Sequence, residues 1–128
     1  MARGIEIRAA HFPGRAPIDA YGNGGFRFAD MSHRGSILCL PSGIYGWDVT
    51  EGDPLTPELF ARVLADAADI EVLLVGTGQS LVPLPAAVKS ALREKGIGSD
   101  PMSTGAAVRT FNIMLAESRA VACALIAV

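Results

Sequence analysis

The sequence predicts a layered α/β domain, with an antiparallel N-terminal part followed by alternating strands and helices. Three observations carry this. Between Tyr21 and Val49, short alternating runs are separated by turns containing Gly, Asn and Pro. Two later runs, Glu71–Gly76 (EVLLVG) and Ala120–Val128 (AVACALIAV), are almost wholly apolar and of strand length, as in strands covered on both faces. Stretches with helical spacing and helix-start signals surround these runs.

Residues 1–25 are rich in Gly, Pro and Ala, with one strand candidate around Ile5–Arg8. In AYGNGGFRF, Asn23 and Gly24 tolerate positive φ and feed a strand in which Phe26 and Phe28 alternate around Arg27. SHRG reads as a second turn. A strand at Ile37–Leu40 then breaks at Pro41-Ser42-Gly43, and another runs through Ile44–Val49. The first helix is TPELFARVLADA, with Thr56 as cap, Pro57 at the first helical position, and Leu59, Phe60, Val63, Leu64 and Ala67 as its apolar stripe. After EVLLVG and the GTGQS turn, a second helix spans about Pro85–Lys95 and ends at Gly96. IGSDP reads as a short strand. A third helix covers about Thr104–Ser118, and AVACALIAV closes the chain as a buried strand.

At 128 residues the chain has the length of one domain, with enough core to fold without metal or disulfide. Half the residues are hydrophobic and 19% charged, which excludes a disordered chain. A mean hydropathy of +0.34 is high enough to suggest a surface partly covered by a partner. The net charge of −2 argues against nucleic-acid binding, since Lys89, Arg93 and Lys95 are interrupted by Glu94 and fit the wet face of a helix. No run reaches the 18 or so apolar residues of a membrane span, and no secretory core region is present, so a cytoplasmic protein is expected. Cys39 and Cys123 lie in apolar runs without metal-ligand spacing and read as buried, reduced thiols.

Two stretches could carry chemistry. Gly76-Thr77-Gly78 follows a buried strand, where open α/β sheets place their ligand crevices, and its backbone N–H groups could approach a phosphate. It lacks the third glycine of a dinucleotide fingerprint and the GK[ST] of a P-loop, so a tight turn is the simpler reading. In MSTGAAVRTFN, Ser103 or Thr104 can cap a helix whose first turn is made slim by Gly105, Ala106 and Ala107. An anion there would meet N–H groups, hydroxyls and Arg109 together. Alternatively, the small residues pack the helix on the sheet and Arg109 bonds loop carbonyls or a carboxylate, with Asp48 and Asp100 as candidates.

Val108, Phe111 and Leu115 have core spacing, and Asn112 borders that face, suited to satisfying backbone groups. Asp48 points opposite to Trp47, so it is solvated if Trp47 is inward. His11 and His33 lie in surface-like segments, and no serine or cysteine shows an activated setting. No catalytic residue, metal ligand or cofactor is assigned.

The segments Tyr21–Phe28, Gly43–Val49, Val72–Gly78 and Thr104–Ile126 together resemble the small-domain family that includes the mitochondrial respiratory complex I assembly factor 3. The resemblance spans roughly residues 17–127, and the chain looks like a prokaryotic member. It implies a three-layer fold with a central mixed sheet, a role in assisting assembly of the membrane-bound NADH dehydrogenase, and no transferable catalytic residue. Its motif positions are Trp47, Asp48, Gly76, Gly78, Thr104, Gly105, Arg109, Thr110 and Asn112.

The leading expectation is a non-enzymatic interaction module that binds protein partners, itself included, with a peripheral link to a membrane complex. The rival is a small-molecule or phosphate-ester enzyme with its anion site between Gly76–Gly78 and Thr104–Arg109, and Asp48 as base.

Overall fold

The computed structural model describes residues 12–128; the strand candidate at Ile5–Arg8 and His11 lie outside the described residues. The N-terminal meander is a three-stranded antiparallel sheet of β1 (Ala20–Gly22), β2 (Gly25–Phe28) and β3 (Met31–Arg34). Asn23 and Gly24, at φ 53° and 78°, make the first two-residue turn as expected. The second hairpin differs from expectation: SHRG is not a turn but most of β3. The reversal falls instead on Ala29 and Asp30, both at positive φ, a turn that Ala does not advertise. Phe26 and Phe28 are buried while Arg27 faces solvent.

The central sheet contains β4 (Ser36–Leu40), β5 (Gly43–Trp47), β6 (Val72–Gly76), β7 (Gly98–Met102) and β8 (Val121–Leu125), in the order β5-β4-β8-β6-β7. β4 is antiparallel to both neighbours, and β6 is parallel to both. The sheet is therefore mixed, and β4 alone runs against the other four. β8 lies at its centre with every residue buried, as its continuous apolar run requires. Pro101 is accommodated because β7 is an edge strand, where a missing N–H costs no ladder bond.

The first predicted helix is broken in three: a 3₁₀ turn at Pro57–Phe60, a short helix α1 (Ala61–Ala65) and a second 3₁₀ turn at Ala67–Asp69. The Thr56 side chain makes no capping bond; its carbonyl accepts the Leu59 N–H at 3.1 Å, closing the tighter turn. The apolar stripe still docks, with Phe60 and Val63 buried. α2 (Ala86–Glu94) and α3 (Thr104–Ala116) fall where expected, α2 ending before Gly96 at φ 80°.

Strand alternation divides the core into two. On one face Leu38, Leu73, Val75 and Ala124 pack with Phe60, Val63, Val88 and Leu92. On the other Ile37, Leu74, Cys123 and Leu125 pack with Val108 and Phe111 of α3 and with Phe26 and Phe28 of the meander. The result is three layers: α1 and α2, the sheet, then α3 with the meander. Cys39 and Cys123 sit opposite one another across β4 and β8, both buried and free. Burial, and after it the adjacent Cys39 thiol, pushes the Cys123 thiol well above its ordinary range and keeps it protonated.

Candidate functional site

Because β5, β6, β7 and β8 run the same way, their carboxyl ends share one edge of the sheet. The antiparallel β4 contributes its first residue, Ser36, to that edge. The chain leaves β6 for α2 on one face and β7 for α3 on the other. Between such strands an open α/β sheet usually has a ligand crevice. Here the crevice is where Gly76–Gly78 meets Ser103–Thr104, so the structure brings both sequence-predicted stretches together.

The donors of the glycine turn are engaged within the chain. Thr77 N–H donates to the Met102 carbonyl at 2.9 Å. Gly78 N–H donates to the Thr104 hydroxyl at 3.1 Å, and Gln79 N–H to the Glu51 carboxylate at 2.7 Å. Glu51, a residue the sequence did not single out, thus places the chain's own anion on this turn. Gly78 has φ 117°, and a Cβ there would collide with the Glu51 carboxylate. At Gly76 a Cβ would stand 2.9 Å from the Thr104 Cα, so the glycine is required by backbone approach of β6 to α3.

Ser103 is the residue that caps α3, its Oγ accepting the Ala106 N–H at 3.3 Å. Thr104 turns inward and is fully buried. Its hydroxyl donates to the Ile126 carbonyl at 2.7 Å, and its N–H donates to the Gly78 carbonyl at 2.8 Å. Two further buried hydroxyls do similar work at this edge. Ser36 donates to the Val49 carbonyl at 2.6 Å and accepts the Ala127 N–H at 2.9 Å. Thr77 lies 2.7 Å from the Ser80 carbonyl and 3.1 Å from that of Met102, and accepts the Val82 N–H at 2.9 Å. Ser36, Thr77 and Thr104 are the buried polar side chains of the described residues, and each laces loops together.

The remaining predicted residues lie apart from this lacing. Asn112 binds both backbone groups of Ile18, accepting its N–H at 2.9 Å and donating to its carbonyl at 2.8 Å, which fastens the incoming chain to α3. Trp47 is inward, its indole N–H donating to the Leu59 carbonyl at 2.8 Å, and Asp48 is exposed. Arg109 is exposed and, among the described residues, makes no ion pair with Asp48 or Asp100. It lies near Gly105, where a Cβ would collide with the Tyr21 hydroxyl. Arg109→Ala is accordingly expected to change stability by no more than about 0.5 kcal/mol. A thermal melt checks this, and a clear fall in Tm would assign Arg109 an anchoring role.

Among the described residues no three His, Cys, Asp or Glu side chains converge as metal ligands, and no helix is long and apolar enough to cross a membrane.

Comparison with known proteins gives concordant relatives. A crystal structure described as an outer membrane protein from Bartonella henselae superposes with a TM-score of 0.87 at 66% identity, over 91% of this chain and 98% of that one. An uncharacterised protein of Rhodobacter capsulatus is 37% identical over 93% of this chain and 90% of its own length. The mouse NADH dehydrogenase [ubiquinone] 1 alpha subcomplex assembly factor 3 is 31% identical over 95% of this chain, which spans 66% of that protein. The family model matches residues 18–126, and the chain belongs to the family of proteins of unknown function DUF498/DUF598.

Proposed function

We infer that this protein works as a binding factor for other proteins, assisting assembly of a membrane respiratory complex, and that it turns over no substrate of its own. One observation supports this above the others. At the sheet edge where an α/β enzyme would present its donors, the N–H groups of Thr77, Gly78 and Gln79 are held by a carbonyl, a hydroxyl and a carboxylate of the chain itself. An incoming phosphate would have to displace Glu51 and break hydrogen bonds within the chain, each of net worth about 0.5–1.5 kcal/mol. The resemblance to complex I assembly factor 3 supplies the kind of partner, subunits of a membrane-bound NADH dehydrogenase.

The test is deletion of the gene in a bacterium that carries both it and that dehydrogenase. Native gels should show less assembled complex and more subcomplexes, restored by the intact gene. An unchanged assembly pattern would overturn the inference, as would saturable turnover of a phosphate ester by the purified protein.

A further inference from the structure

The carboxyl edge of the sheet holds a groove of about 210 Å³ between the 52–55 loop and the segment after β6. Pro54, Leu55, Val82, Pro83 and Pro85 line it, together with the buried Ile126. The volume is below the 300–1,000 Å³ or so of small-molecule pockets and suits a single apolar side chain. Leu81 and Val82 beside it are 57% and 53% exposed. Proline fixes φ on both walls, so the groove is preformed and little ordering entropy would be lost on binding.

Among the described residues, the polar side chains that line it are Thr77 and Asp53. The Thr77 hydroxyl already both donates and accepts within the chain. Asp53 is held by the Thr50 N–H and hydroxyl, at 2.8 and 3.0 Å, which fixes its charge at the groove. Glu51, bound to Gln79 N–H, fixes a second negative charge next to Thr77 and Gly78. These belong to a segment, residues 48–71, with seven acidic side chains against one arginine. The positive charges of α2 begin at Lys89, a turn beyond the groove residue Pro85.

An apolar slot edged by anchored carboxylates discriminates by charge. A neutral or acidic partner would desolvate Asp53 and Glu51 without compensation, whereas lysine or arginine would pair with them. We propose that this groove docks a basic amphipathic segment of a partner protein, one apolar side chain entering between Pro54 and Val82 and flanking Lys or Arg residues meeting Asp53 and Glu51. The assignment rests on the protein-binding reading above.

The experiment places the photo-crosslinker p-benzoylphenylalanine at Leu81 of the full chain in its host, with a second version carrying it at the exposed Ile113 of α3 as a control site. Mass spectrometry then maps the captured segment. The expected result is capture through position 81 of a segment with an apolar residue flanked by Lys or Arg. A synthetic peptide of that segment should lose about tenfold or more in affinity with the Glu51→Gln, Asp53→Asn double variant, which retains the hydrogen-bond acceptors. It should lose at least as much with Val82→Asp. Capture of a neutral or acidic segment, or of a second copy of this chain, overturns the proposal. So does an affinity that the charge variant leaves unchanged. Capture through position 113 alone overturns the groove but leaves the protein-binding reading standing; no capture at either position defeats both.

Discussion

Thr104→Val is expected to destabilise the protein by about 2–4 kcal/mol, lowering Tm by about 10 °C for a chain of this size. The substitution keeps the shape of the side chain and removes only its hydroxyl. That hydroxyl is completely buried, and it serves two backbone groups, the Gly78 N–H and the Ile126 carbonyl. Without it both stay buried and unpaired, each costing about 1–3 kcal/mol. Thr104→Ser provides the comparison, since it keeps the hydroxyl and gives up one buried methyl, about 1 kcal/mol. Urea unfolding should rank wild type above Ser and Ser well above Val, with the Gly78 amide exchanging faster with solvent in Val alone. Equal cost for Ser and Val would mean that the methyl, not the bridge, secures the edge.

The bridge also shows where the sequence stops being informative. Ser103 and Thr104 are equal candidates for the helix cap when only neighbours are considered. The choice between them depends on partners 26 and 22 residues away, Gly78 and Ile126, which no local pattern reveals. Ser36 and Glu51 are similar. Each is ordinary in its own segment and acquires its role when β4, the loop after β5 and the glycine turn reach the same edge. By contrast, β6 and β8 are legible because a strand covered on both faces must be apolar throughout, and the Asn23-Gly24 turn because few residues accept its φ values.

The broken first helix and the SHRG strand depart from the sequence expectation for a common reason: short elements follow tertiary contacts more than propensity. The stripe from Leu59 to Ala67 needs only to cover the sheet, and 3₁₀ turns satisfy that as well as a regular helix. β3 is set by pairing with β2, residue for residue from Met31 opposite Phe28 to Arg34 opposite Gly25. At the candidate site, Gly76 is required by the close approach of β6 to the start of α3, where the local pattern suggests only a tight turn. Arg109, exposed and in no ion pair with the candidate partners Asp48 and Asp100 among the described residues, is where side-chain geometry could not be foreseen.

Phe111→Ala should cost about 3–5 kcal/mol, a large part of the 5–15 kcal/mol typical of a domain. Phe111 is 2% exposed in the core that joins α3, the meander and one face of the sheet. The same core includes Phe26 and Phe28 of β2, Leu74 of β6 and Cys123 of β8, all fixed in strands, so they cannot collapse fully into the space left behind. Ile113, two residues along the same helix, is 61% exposed, and Ile113→Ala should fall within about 0.5 kcal/mol of wild type. The contrast separates packing from helix propensity, because alanine is a good helix former at both positions. The opposite core offers a second comparison in Phe60, which packs edge-on against Trp47 with ring centroids 5.4 Å apart. Milder truncations, Phe111→Leu and Phe60→Leu, act on faces separated by the sheet and should add to within about 0.5 kcal/mol in urea titrations. A markedly non-additive result would mean that strain crosses β6 and β8, and that the two faces respond as one unit.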